Sequence, residues 1–293
     1  MHISRNTHIV HYSNDLLDIA CRDILKQQQH LLPDLRTVTI FLSNNLAQKP
    51  LLDKLTKYAF KQGYPALLSP NCTTLRKWAL SMQAPNKPLL SQYARELILV
   101  DAINQQSSLF ANTNPWIIAN ELLSFFDDMT LNNIDPLKFQ NHFNQNKLNE
   151  HTSYALSQDA TLVTTLWQAW QQQLSQESML DPVETYIHAL QQSEFSKHEI
   201  FYSIGLDKLS ECELSVFRKI EDQSQLHLFI YASNAQLSSR PDFAIKDCID
   251  PNTNKNHYST KEISPYSKLL DSIYIDNGPS IQQRAENFSN AYP

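Results

Sequence analysis

The sequence predicts an α/β fold: a mainly parallel β-sheet interrupted by a large all-helical insertion. Three observations lead there. Short apolar runs recur at 7–12, Val38–Leu42, Ile200–Ile204 and Leu226–Tyr231, and strands that are apolar on both faces belong to parallel sheets covered on both sides. Amphipathic runs of helical period follow the first three of these strands, which is the connection parallel strands require. Between 89 and 195 the strand-like runs disappear and apolar residues recur only at helical spacing.

The first half of the sheet domain, 1–88, opens with the strand THIVHY and a helix. Ser13 is placed to cap that helix, Asp15 suits its positive amino end, and Leu17, Cys21, Ile24 and Leu25 form one apolar stripe. A strand, a polar turn and a helix is where nucleotide-binding folds keep a phosphate loop. Such a loop needs Gly, so that amides converge on phosphate, then Lys and Ser/Thr for charge and Mg²⁺. His11-Tyr12-Ser13-Asn14-Asp15 has no Gly and no Lys, and it sets a carboxylate where phosphate would sit. The turn therefore reads as a relic that only redirects the chain. After the strand Val38–Leu42, residues Leu51, Leu55, Tyr58 and Ala59 line a second helix, with Pro50 near its start and Gly63 at its stop. Ser43, Asn44 and Asn45 lie between strand and helix. They can hydrogen-bond nucleic-acid phosphates or simply cap the helix, which is the commoner use of Ser and Asn. A brief helix over Thr73–Leu80 and a Pro-punctuated loop close this half.

The helical insertion, 89–195, holds four predicted helices. Tyr93, Leu97, Val100 and Ile103 mark the first; Ile118, Leu122, Phe125 and Met129 mark the second, capped by Asn114 with Pro115 at its first position. Leu162, Leu166, Trp170 and Leu174 mark the third, and Asp181 opens a fourth in which Tyr186, Ile187 and Leu190 face inward. Trp116, Trp167 and Trp170 invite base stacking, although aromatics at helical spacing are more often core. The stretch from Leu131 to His151 is rich in Asn and Gln, and His142 and His151 there have no Cys or carboxylate at metal spacing.

The second half, 196–275, repeats the strand–helix–strand unit. Ile200–Ile204 is followed by the turn Gly205-Leu206-Asp207, then by Ser210 and Glu213 in capping-box spacing. Leu214, Phe217 and Ile220 form the apolar face of the helix, and Leu226–Tyr231 is the next strand. The polar run 234–265 reads as a flap or irregular hairpin, since structureless loops of that length are uncommon inside a domain.

This strand, Gly, polar turn, helix and strand, preceded across 162–205 by a helix, Leu-Asp-Pro and a helix, resembles the N-terminal region of AddB/RexB-type proteins. These are the inactivated superfamily I helicase subunits of bacterial double-strand-break repair nucleases. Ser43-Asn44-Asn45 likewise resembles motif Ia of superfamily I helicases, which lies against single-stranded DNA. The resemblance implies a P-loop-like sheet and a degenerate nucleotide site of Ser13, Asn14, Asp15, Ile204 and Asp207, with Ile204 where many members carry an acidic Walker B residue. It implies a superfamily I helicase subunit of the AddA/RexA type as partner, DNA as a second contact, a cytoplasmic location and no cofactor in this chain. It also implies that 276–293 begins a following domain, beyond which a PD-(D/E)XK nuclease and its iron–sulfur cysteines would lie.

Composition narrows the alternatives. Only 3 Gly occur in 293 residues, so close backbone approaches to phosphate are scarce. The net charge of −6 excludes a general basic field for nucleic acid. Cys21, Cys72, Cys212 and Cys248 are scattered, with no Cys-x-x-Cys and no His at ligand spacing, which predicts reduced thiols and no metal site. Asp242 and Lys246 resemble a nuclease motif only superficially, because Pro-Asp is a common turn dipeptide. Asp207 and Glu211 could hold Mg²⁺, but without a phosphate loop that ion has no nucleotide to serve. No nucleophile elbow is visible, and no apolar run approaches the roughly 20 residues of a membrane helix. The expectation is a catalytically silent, helicase-like scaffold of a DNA-end-processing helicase–nuclease acting in repair and recombination. The alternative is a helical protein-interaction module with no nucleic-acid role; a live ATPase ranks third.

Overall fold

The computed structural model describes residues 6–11, 14–82, 87–105, 114–135, 150–176, 179–206, 208–232 and 256–258. Ser13, Asp207, His142, Asp242, Lys246, Cys248 and the segment 276–293, all singled out above, lie outside the described residues. The strands are β1 (Thr7–His11), β2 (Val38–Leu42), β3 (Asn71–Thr73), β4 (Ile200–Ile204), β5 (Gln225–Ala232) and β6 (Asn256–Tyr258). The helices are α1 (Leu16–Gln27), α2 (Gln48–Lys61), α3 (Leu75–Met82), α4 (Gln92–Gln105), α5 (Pro115–Leu131), α6 (Glu150–Gln176), α7 (Pro182–Gln191) and α8 (Glu211–Gln223).

All six strands join one sheet in the order β3-β2-β4-β5-β1-β6, and every pairing is parallel. The four apolar runs of the sequence thus share a sheet, and β4, at its middle, is buried along its whole length. Side chains alternate between the two faces. Ile40, Leu42, Tyr202 and Ile204 pack with Cys21, Ile24 and Leu25 of α1 and Leu51 and Leu55 of α2. On the other face Phe41 meets Trp78 edge-on at 5.3 Å and lies 5.8 Å from Phe201 and 6.0 Å from Phe217 of α8. Each such fully buried side chain contributes roughly 1.5–3 kcal/mol. The division follows from right-handed crossovers, which put helices on opposite faces according to the direction in which the chain moves along the sheet.

Two strands had no apolar signature. β3 occupies the start of the helix expected at Thr73; the helix begins instead at Leu75, after Thr74, whose hydroxyl accepts from Lys77 N at 3.3 Å. β6 lies within the polar run read as a flap and pairs parallel with β1. Strands of three residues at a sheet edge are held by backbone pairing and need no apolar pattern.

The chain divides into a sheet unit (Met1–Trp78, Glu194–Leu209, Leu214–Pro293) and a helical unit (Ala79–Ser193, Ser210–Glu213). The helical core is built from Leu99, Ile103, Leu123, Phe126, Leu166 and Trp170. In α5 the buried phase is Ala119, Leu123, Phe126 and Met129, one residue later than expected at three of four positions. In α4, Leu99, Val100 and Ile103 are buried while Tyr93 and Leu97 are exposed. Asn114 and Asp181 cap α5 and α7, each with Pro at the first helical position. Trp170 is core; Trp167 packs partly buried beside it; Trp116 is exposed and stacks on Tyr93 at 5.7 Å. None of the described helices is long and apolar enough to cross a membrane.

Candidate functional site

Because every strand runs the same way, the carboxyl ends of β1, β2 and β4 open onto one edge of the sheet. The chain leaves β1 toward β2 in one direction and β5 toward β6 in the other, although β1 and β5 are neighbours. Ligands of open parallel sheets bind outside the carboxyl ends at such a reversal. The amino end of α1, just after β1, stands there.

Asp15 is the N-cap of α1, the role expected of Ser13; its carboxylate accepts from Asp18 N at 3.1 Å. Lys54 of α2 reaches across to Asp15 at 2.8 Å and to Asp18 at 3.7 Å. Partial burial opposes ionisation of Asp15, but Lys54 and the Asp18 N–H outweigh it and hold the carboxyl below its ordinary range. Asp18 also pairs with Arg22 at 2.7 Å and accepts from the Tyr58 hydroxyl. The helix end that would receive a phosphate therefore carries two carboxylates, and the Lys facing it is engaged by both. Asn14 precedes this cap, half-buried.

Ile204 ends β4 fully buried in the apolar layer under α1, with no carboxylate to offer a metal ion. Gly205 continues the ladder by donating to Phe229 O at 2.9 Å, then turns away with φ +72°, where a side chain is strained. A Cβ on Gly205 would meet Leu16 at 3.5 Å and Ser43 Oγ at 3.8 Å, so the ends of β4 and β2 and the start of α1 converge. Ser43, Asn44 and Asn45 are exposed beside them. Asn44 caps the short 3₁₀ turn Asn45–Ala47, accepting from Ala47 N at 3.2 Å, and Leu46 projects 86% exposed from the same turn. Asn14, Asp15, Ile204 and the Ser43–Asn45 turn are thus gathered at one edge.

The thiols of Cys21, Cys72 and Cys212 take no part in this edge chemistry. Burial pushes both Cys21 and Cys72 up to about 12, and Cys212 is half-buried with its thiol also raised.

The opposite, amino edge holds a second polar group that chain spacing gave no sign of. His8 of β1, His227 of β5 and Asp23 of α1 are buried, and each offers a ligand-type atom within 4.8 Å of the other two. His8 stacks on Phe229 at 4.2 Å and His227 on Tyr202 at 4.7 Å. Burial is the main force lowering both imidazoles, opposed by the Asp23 charge; His227, where His8 adds to it, is pushed down to about 4. These residues are distant in sequence, and only the placement of β1 beside β5 brings them together.

The chain matches no protein-family model and no curated protein.

Proposed function

We propose that this chain is a catalytically silent, P-loop-like helicase portion of a DNA-end-processing helicase–nuclease subunit, a scaffold for an AddA/RexA-type motor subunit in double-strand-break repair. The observation that carries the reading is the self-capped start of α1: Asp15, tied to Lys54, occupies the helix end at the chain reversal, where a nucleotide phosphate would otherwise be bound. The buried Ile204 at the end of the central strand removes the metal-holding carboxylate that hydrolysis needs. The exposed Ser43–Asn45 turn supplies neutral hydrogen-bonding groups suited to a single-stranded backbone. With a net charge of −6, such contact is weak unless the motor subunit adds cationic surface.

A helical protein-interaction module is the second reading. It draws on the exposed Tyr93–Trp116 stack with Leu97 and Ile117 on the helical unit.

Three measurements on the purified chain separate these readings: binding and hydrolysis of ATP with Mg²⁺, binding of labelled single-stranded DNA, and binding to a purified AddA/RexA-type subunit. The expected result is no ATP turnover, capture by the motor subunit, and DNA affinity that falls when Ser43, Asn44 and Asn45 are all changed to Ala. Turnover above background overturns the silent-site reading. Failure to bind the motor subunit and DNA alike overturns the scaffold reading in favour of the interaction module.

A further inference from the structure

We propose that His8, Asp23 and His227 form a binding site for a borderline divalent metal ion of the zinc type, which pins α1 to β1 and β5 at the amino edge of the sheet. The inference is independent of the reading of the carboxyl edge.

The geometry is the first argument. His8 Nε2 and Asp23 Oδ2 stand 3.7 Å apart, too far for a hydrogen bond. Zinc–ligand bonds of about 2.0–2.2 Å put tetrahedral neighbours about 3.4 Å apart, so these two atoms already have nearly the separation that one shared ion requires. The third ligand atom, on His227, lies within 4.8 Å of both, and a small side-chain movement closes the set.

Satisfaction is the second argument. Asp23 Oδ2 and His227 Nδ1 are buried and have no hydrogen-bond partner among the described residues. A carboxylate and imidazoles buried together without enough hydrogen-bond partners are a donor set that a divalent cation satisfies.

The surroundings are the third. A cavity of about 400 Å³ adjoins the group, with His8, Gln28, His30 and His227 in its wall. Three protein ligands leave a coordination position for water, and the cavity gives it room. Gln28 Nε2 donates to the Tyr202 hydroxyl at 2.9 Å, which fixes the amide and leaves Oε1, buried and without a partner among the described residues, as acceptor for a metal-bound water. Phe229 and Tyr202, stacked on the two imidazoles, hold the rings in place.

The test uses the full chain, stripped with a chelator and titrated with Co²⁺ and then Zn²⁺. The expected result is one ion per chain, visible d–d absorption of nitrogen- and oxygen-ligated Co²⁺, and a metal-dependent rise in Tm. Outer-shell changes alone weaken metal sites about 10–100-fold, so loss of a ligand in His227→Gln or Asp23→Asn should weaken binding by about 100-fold or more. The control His30→Ala, at the cavity wall, should keep the stoichiometry. No stoichiometric binding to the unaltered chain overturns the proposal without recourse to any variant. So does binding unchanged in both ligand variants, or a Co²⁺ spectrum dominated by thiolate charge transfer, which would assign the ion to a cysteine.

Discussion

Arg95 and Asp181, both buried, with half-buried Asp127 in the helical unit, and His8, Asp23 and His227 in the sheet unit are two triads of ionisable groups, and they meet burial differently. Arg95 Nε donates to Asp181 Oδ2 at 2.8 Å, and its two terminal nitrogens grip Asp127 as a fork. The other oxygen of Asp181 caps α7, accepting from Val183 N at 2.8 Å and Glu184 N at 3.0 Å. Burial works against the charge on Arg95, yet the two carboxylates outweigh it and hold the guanidinium above its ordinary range. In the sheet unit burial wins instead and drives the imidazoles neutral. Buried polar groups are nearly always paired. The first triad is accounted for by its own hydrogen bonds; the second leaves a carboxylate oxygen and a ring nitrogen that ask for a further partner.

The largest expected effect tests the paired side of this contrast. Arg95→Met keeps about the volume and the packing on Trp170 but leaves buried Asp181 and half-buried Asp127 without their cation. Breaking a buried pair in this way costs about 3–5 kcal/mol. Urea denaturation followed by far-ultraviolet circular dichroism should report that loss, and amide exchange should locate it at the start of α7. A loss below 1 kcal/mol would mean that the triad is solvated and the contrast with the sheet unit empty.

The next effect belongs to the unpaired side and depends on pH. An unfolded imidazole takes up its proton near pH 6.5, whereas His227 in the folded chain does so only near 4. The unfolded state therefore binds more protons in that window, so stability is fully present above about pH 6.5 and falls as pH drops toward 4. The difference amounts to about 3 kcal/mol for His227, and His8, also lowered, acts in the same direction. Urea midpoints at several pH values should trace this slope, and His227→Gln should flatten it. Zinc should steepen it, because protons then compete with the metal as well. A flat profile in the unaltered chain would show that the protonated ring has a partner in the fold.

The same contrast explains what the sequence made legible. β2, β4 and the core of β5 could be read because both faces are apolar, and the caps at Asn114, Asp181 and Ser210 because capping is local. Ser210 N and Glu213 Oε2 do meet at 2.9 Å. The phase of α5 was not legible because Ile118, Leu122 and Phe125 are as apolar as Ala119, Leu123 and Phe126, so periodicity had two solutions. Asp15 displaced Ser13 as the α1 cap because a helix start is ambiguous by a residue or two where several cap-forming residues adjoin. At the carboxyl edge, residues at the ends of consecutive elements could be named in advance, since loops at one edge of a parallel sheet must converge. The grouping of His8 and Asp23 with His227 could not: it depends on β1 lying beside β5, which no local pattern encodes. Arg95 was missed for a related reason, since a lone Arg in an amphipathic helix reads as surface until its two partners are placed.

The smallest expected effect supplies the baseline for both triads. Lys54, Asp15, Asp18 and Arg22 form an ion-pair group much like Arg95 with its carboxylates, but its cations are not buried as Arg95 is: Arg22 is 65% exposed and Lys54, half-buried, holds Asp15, itself 54% exposed. Water already stabilises these charges, and salt screens them, so exposed pairs contribute about 0.2–1 kcal/mol. Lys54→Ala should therefore lower stability by an amount within that range, and the difference should shrink further in 0.5 M NaCl. Removing the cation leaves Asp15 still capping α1 through the Asp18 N–H, so the helix start survives. The same variant bears on the carboxyl edge, because Asp15 without its cation makes the helix end more hostile to phosphate, and ATP binding should not emerge. A loss as large as that of Arg95→Met, insensitive to salt, would mean that exposure does not rank these clusters, and the inference from burial to an unmet partner at Asp23 and His227 would lose its premise.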